Sequence, residues 1–186
     1  MLAALAGLTC AGEAAAVKTP AKSLYTNIDL RQCTRVKHHP DGDTWRCAGL
    51  PGYPILVAEG DLRFFLSFGR NAEKRRAAEQ TLPAFNTPFA GRSRRATVEW
   101  RFETREEKPV PYAAIVRYFT AADGTKGEVL VVSRVTATEA CHLAYIDALA
   151  TPEAIVLARR IADERARSFD CRQEPRREGA AGTGPI

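Results

Sequence analysis

Thr97-Val98-Glu99-Trp100-Arg101-Phe102-Glu103 alternates without a break, with Val98, Trp100 and Phe102 on one side and Glu99, Arg101 and Glu103 on the other. Successive side chains of a strand point to opposite faces, so a period of two marks a strand with one face in a core. Downstream, residues 112–119 and 128–135 are rich in branched and aromatic side chains and flank Ala122-Asp123-Gly124. Asp-Gly tolerates positive φ at both positions, so the two runs read as a hairpin. Residues 141–147 make a further strand. Short strands joined by tight turns build an antiparallel sheet rather than a helical bundle.

The sheet needs a cover, and the C-terminal region supplies one. Thr151 is an N-cap residue by type, and Pro152 suits the first helical position, where its missing N–H costs nothing. Over residues 152–169 an apolar stripe of Ile155, Ala158, Ala162 and Phe169, with Leu157 and Ile161 beside it, stands apart from Arg159, Arg160, Asp163, Glu164 and Arg167. Arg159–Asp163 and Arg160–Glu164 are spaced for i,i+4 ion pairs worth a few tenths of a kcal/mol each.

Upstream, residues 24–30, 45–48, 53–58 and 64–68 read as strands. The second is expected to run back beside the first, and Glu59-Gly60-Asp61 to turn between the last two. Lys37-His38-His39-Pro40-Asp41-Gly42-Asp43 is a turn by composition. Residues 71–81 predict a short surface helix: Asn71 can cap it, and Ala, Glu, Lys and Arg fill its interior. Residues 83–95 form a loop. After Cys171 the chain is charged and Gly-rich, which predicts a disordered tail over 172–186.

Residues 1–16 read as an export signal, since an apolar run from Leu2 to Cys10 is followed by the small-residue pattern Ala14-Ala15-Ala16. The run is too short to cross a bilayer as a helix, which needs about 20 apolar residues. It lacks a preceding Lys or Arg, so the natural signal is expected to begin further upstream. Lipid attachment at Cys10 is disfavoured, because Gly7-Leu8-Thr9 has neither Leu at minus three nor Gly or Ala at minus one. Cleavage near Ala16 leaves residues 17–171 as one α+β domain. Hydrophobic residues at 45% and charged residues at 26% suit such a self-sufficient core. The formal charge of +5 becomes +6 without Glu13. A basic exported protein meets anionic lipid or cell-wall polymer rather than nucleic acid.

Four cysteines remain, Cys33, Cys47, Cys141 and Cys171, and an even number in an exported protein implies disulfides. A strand over 141–147 and a helix over 152–169 each extend roughly 25 Å. An antiparallel return therefore brings Cys171 beside Cys141, and Cys33 and Cys47 flank a hairpin-like excursion. The expected pairs are Cys33–Cys47 and Cys141–Cys171.

Tyr25-Thr-Asn-Ile-Asp-Leu30, Gly52-Tyr-Pro54, Glu59-Gly-Asp-Leu62 and Cys141-His-Leu-Ala-Tyr-Ile-Asp147 together resemble a group of uncharacterised exported proteins of Gram-negative bacteria. The resemblance covers most of the mature chain. It implies a periplasmic setting and carries no catalytic residue with it.

Chemistry-bearing residues are few. His38, His39, Asp41 and Asp43 are metal-ligand types, but without a second cluster to complete a site they read as a solvated turn, so no metal is expected. His142 alternates with Ala144 and Ile146 and reads as a packed histidine; with Glu139 or Asp147 it is the one base available to a small hydrolase. No G-x-S-x-G elbow and neither glycine-rich nucleotide motif occurs, so no cofactor is expected. The basic residues fall into Arg70, Lys74, Arg75 and Arg76, then Arg92, Arg94 and Arg95, which together could make one anion-binding patch. On the sheet, Glu99, Arg101, Arg117 and Arg134 either pair among themselves or grip a carboxylate or phosphate. The ligand-binding set is accordingly Arg75, Arg76, Arg94, Arg95, Arg101 and Arg117.

The expectation is an α+β fold, a largely antiparallel sheet with the C-terminal helix on one face. The expected function is non-catalytic binding or an accessory role in the periplasm, directed at an anionic envelope component. The alternatives are the His142 hydrolase and a secreted inhibitor presenting loop 83–95.

Overall fold

The alternation of residues 97–103 places Val98 and Trp100 in one apolar cluster and turns Glu99 and Arg101 to the opposite face. The computed structural model describes residues 22–186. The expected signal over 1–16, Cys10 included, lies outside the described residues.

The strands are β1 (Lys22–Asp29), β2 (Thr34–His39), β3 (Gly42–Leu50), β4 (Tyr53–Gly60), β5 (Arg63–Phe68), β6 (Phe85–Thr87), β7 (Arg95–Arg105), β8 (Lys108–Ala122), β9 (Thr125–Val135), β10 (Ala140–Asp147) and, beyond helix α1 (Ala154–Arg165), β11 (Arg176–Glu178). They form two sheets. The larger runs β1-β7-β8-β9-β10-β11, with β6 also paired to β8, and the smaller runs β2-β3-β4-β5. Every pairing is antiparallel except the short parallel one between β10 and β11. The β8–β9 hairpin turns at Asp123 and Gly124, both at positive φ, as the Asp-Gly pair predicts.

Two layers of apolar side chains hold these parts together. Ile55, Val57, Leu66 and Phe68 from the small sheet share one cluster with Val98, Trp100, Val116, Tyr118 and Val131 from the large one. Trp100 meets Phe68 edge-on at 5.4 Å between ring centres. On the other face, Ala113, Ile115, Leu130, Val132 and Ile146 share a second cluster with Ala154, Ala158, Ile161 and Ala162 of α1. Strands covered on both faces lose alternation, and β10 is buried along its whole length. Disulfides join Cys33 to Cys47 and Cys141 to Cys171, the pairs expected from the spacing.

Five local expectations are corrected. Residues 71–81 do not make a helix: Ala72–Lys74 and Arg76–Ala78 are separate 3₁₀ turns, Asn71 is left-handed without a side-chain cap, and Arg75 between them is extended. Ala77 and Leu82 are fully buried in the inter-sheet cluster, so tertiary packing overrides helix propensity here. Residues 45–48 belong to β3 and pair with β2 and β4, whereas β1 pairs with β7 in the other sheet. The turn of the β4–β5 hairpin falls at Asp61-Leu62, both at positive φ, one step beyond the expected place. α1 is shorter than expected: Glu153 stands at its N-cap, and the Thr151 hydroxyl accepts from the Ala180 N–H instead. Finally, 172–186 is no disordered tail. β11 pairs beside β10, Thr120 Oγ1 donates to the Pro185 carbonyl at 2.6 Å, and Ile186 packs on the inter-sheet cluster. Glycine makes this possible, since a Cβ at Gly182 would lie 2.2 Å from Asp147 Oδ2.

Candidate functional site

The β1–β7 ladder ends at the pair Asp29↔Arg95, and the site is built on that end. Asp29 is 6% exposed, yet it carries a charge, so it requires partners. Arg31 gives it Nε at 3.0 Å and Nη2 at 2.8 Å, and the Arg31 backbone N–H adds a third bond at 3.1 Å. Arg95 gives it Nε at 2.9 Å from the other side. These bonds, Arg31's first and Arg95's second, hold the Asp29 carboxyl well below the usual carboxylate range. Beside the anchor, Leu30 N–H donates to the Arg94 carbonyl at 3.1 Å, and Ser93 Oγ accepts from the Arg95 N–H at 3.0 Å. The loop is thereby pinned to the strand. Arg31, Arg92, Ser93, Arg94 and Arg95 line an open groove of about 590 Å³. Arg92 and Arg94 have no ion-pair partner among the described residues.

The single basic patch expected from sequence divides. Arg75 donates to the carbonyls of Arg70 at 3.0 Å and Ala137 at 3.4 Å. Arg76 donates to the Cys171 carbonyl at 2.8 Å and pairs with Glu174. Their partners come from the segment after β5, the β9–β10 connection and the C-terminal segment, while those of Arg94 and Arg95 come from the end of β1. A smaller depression of about 270 Å³ includes Arg46 and Arg70 over Pro54, Leu56 and Ala72. It shares no lining residue with the groove.

On the helix-facing side of the large sheet, Arg101 and Glu99 are both 5% exposed and bind α1 rather than open to solvent. Arg101 grips Asp163 through Nε at 2.9 Å and Nη2 at 2.7 Å, and Tyr112 Oη donates to the same carboxylate at 2.7 Å. Arg159 grips Glu99 through Nε at 2.7 Å and Nη2 at 3.1 Å. The intrahelical Arg159–Asp163 pair expected from spacing is thus replaced by two pairs that tie the helix to the sheet. Arg134 donates to the Ala166 carbonyl just past the helix end at 2.6 Å, where a cation complements the helix dipole. Arg117 pairs with Glu128. In this part of the ligand-binding set, pairing accounts for the arginines.

The histidines are placed as differently as their sequence settings. His38 pairs with Asp43 across the exposed β2–β3 hairpin, and His39 lies 3.3 Å from Asp41, so the four ligand types form two separate pairs. His142 is 1% exposed, and its Nδ1 lies 2.8 Å from Tyr145 Oη. Burial holds its imidazole down to about 3, so the ring is neutral at physiological pH. A substrate cannot reach it.

Sequence reading named Arg92, Arg94 and Arg95 but missed Arg31 and Asp29. The signal was latent: aligning the strand at 24–30 antiparallel to that at 97–103 brings their ends together. Compared with protein-family models, with curated proteins and with solved structures, the chain finds no match. No helix among the described residues is long and apolar enough to cross a membrane.

Proposed function

We propose that this chain is an exported, non-catalytic binding protein of the periplasm, whose arginine groove takes an anionic component of the bacterial envelope. The observation that carries the reading is the groove itself: four exposed guanidiniums beside a single carboxylate, with the loop that bears Arg92 and Arg94 hydrogen-bonded to Leu30 at the end of β1. Such a concentration of like charge is costly without counter-charge and attracts anions over several ångströms. Export is supported by the apolar segment ending at Ala14-Ala15-Ala16 and by two disulfides, which persist in oxidising compartments. The hydrolase alternative loses support because its only non-hairpin histidine, His142, is enclosed. The inhibitor alternative loses support because much of loop 83–95 is tied down: Phe85–Thr87 pairs with β8, and Asn86 donates to the carbonyls of Leu82 and Ala84.

The test is co-sedimentation of the mature protein with phosphatidylglycerol vesicles and with purified peptidoglycan. Binding is expected to weaken steeply from 0.01 to 0.15 M salt, as the screening length contracts from about 30 Å to about 8 Å. Arg92→Gln with Arg94→Gln should remove most of it at unchanged melting temperature, and His142→Gln should leave it intact. Failure to bind either material at low salt would end the proposal. For export, the protein recovered from its native envelope should begin at or near Val17; recovery with Met1 in place contradicts that part.

A further inference from the structure

We infer that the groove is built for phosphoryl groups, and that Asp29 is the positioning residue that prepares two of its four guanidiniums for them. The inference rests on the groove being the binding site proposed above. Arg31 presents Nε and Nη2 to Asp29, which leaves Nη1; Arg95 presents Nε alone, which leaves both η nitrogens. The carboxylate is buried while the two arginine side chains are 62% and 64% exposed, so Arg31 is held from beneath by two donors and Arg95 by one, with donors of each still open to solvent. Arg92 and Arg94 add two further guanidiniums on the same groove.

A ligand carboxylate is planar, and one guanidinium fork satisfies its two oxygens. Four guanidiniums around one groove exceed what that shape can use. A phosphoryl group carries several acceptor oxygens in a tetrahedral arrangement and accepts from several arginines at once. Holding two of the four in place beforehand removes their ordering cost from the binding step.

Positioning and charge make opposite predictions for Asp29. Asp29→Asn raises the positive charge of the groove by one, so attraction alone would tighten anion binding. If Asp29 positions Arg31 and Arg95, the same change weakens binding by about tenfold, the scale of re-ordering two long side chains. The experiment is calorimetric titration of the mature chain at low salt with inorganic pyrophosphate and with citrate, a carboxylate anion of similar charge. Pyrophosphate should bind at least tenfold more tightly than citrate, Asp29→Asn should lose that margin, and its melting curve reports whether it is folded. Arg95→Lys, which keeps the charge and removes the fork, should also weaken pyrophosphate several-fold and decides the matter if Asp29→Asn does not fold. Phosphatidylglycerol vesicles form a second arm. Vesicle binding that Asp29→Asn weakens in the same proportion assigns the phosphoryl group to a lipid headgroup, and pyrophosphate binding without vesicle binding assigns it to a soluble or polymer-borne phosphate. Equal affinity for citrate and pyrophosphate, or unchanged or tighter binding by folded Asp29→Asn, overturns the inference while leaving anion binding in place. No binding of any anion by the unaltered protein overturns both.

Discussion

Acidification should destabilise this protein through one enclosed imidazole, at a pH where most carboxylates are still ionised. His142 lies in β10 at 1% exposure, and burial holds its pKa down to about 3 against an unfolded value of 6.5. Between those values the unfolded chain binds a proton that the folded chain refuses, so stability is full above pH 6.5 and falls as pH drops towards 3. Each pH unit in that window costs about 1.4 kcal/mol, so moving from pH 7.5 to 4.5 costs about 3 kcal/mol from this residue. Urea unfolding followed by tryptophan fluorescence, to which the fully buried Trp100 and the half-buried Trp45 both contribute, gives the stability at both pH values. The control is His142→Gln, which removes the titrating group and leaves the Gln80 side chain free to accept from the backbone N–H at 142 as it does now. Its stability at pH 7.5 will differ from that of the unaltered protein, but its loss between pH 7.5 and 4.5 should be smaller by about 3 kcal/mol. The carboxylates titrate in both proteins and cancel. Equal losses in the two would refute the assignment of a buried neutral imidazole.

Three further outcomes follow from packing. Ile161→Ala should cost about 2–5 kcal/mol in urea unfolding, because Ile161 is 4% exposed within the cluster beneath α1. Arg101→Leu should cost about 3 kcal/mol by leaving Asp163 without its fork, at the lower end of the range because Asp163 is 28% exposed; the double variant with Asp163→Leu should be less destabilised than the single one. Gly182→Ala should detach the C-terminal segment, since its Cβ would meet both the Asp147 carboxylate and the Ala150 side chain, and trypsin should then cut faster after Arg176 and Arg177.

Alternation made β7 readable, and branched and aromatic richness on either side of Asp123-Gly124 made β8 and β9 readable, because strands covered on both faces are apolar throughout. The cysteine pairs were readable because element length and rise place their ends. The division into two sheets was not, since strands of either sheet carry the same period of two and only pairing separates them. β2 was hidden by Lys37-His38-His39-Pro40, a sequence that composes a turn but stands on an exposed edge strand where polar side chains suffice. In residues 71–81, good helix formers lost to the burial of Ala77 and Leu82. At the site, Arg92, Arg94 and Arg95 stood out as a run of charge. Asp29 and Arg31 did not, because their role exists only once strands far apart in sequence are paired.

That separation has a consequence for how the molecule assembles. β2 to β5 form a meander of neighbouring hairpins, as do β7 to β10, so both can zip up from local contacts. β1 belongs to neither meander: its partner lies beyond the whole small sheet in sequence, and closing a loop of that length costs roughly 4 kcal/mol of chain entropy. Asp29 and Arg95 face each other at the end of that ladder nearest the intervening chain. The groove therefore exists only once β1 has joined β7, and it lies at the end of the ladder that closes the shortest loop between them. An anion held across Arg31 and Arg95 would act as a clasp on that end, and its binding would register as slower opening of β1 from β7 in hydrogen exchange.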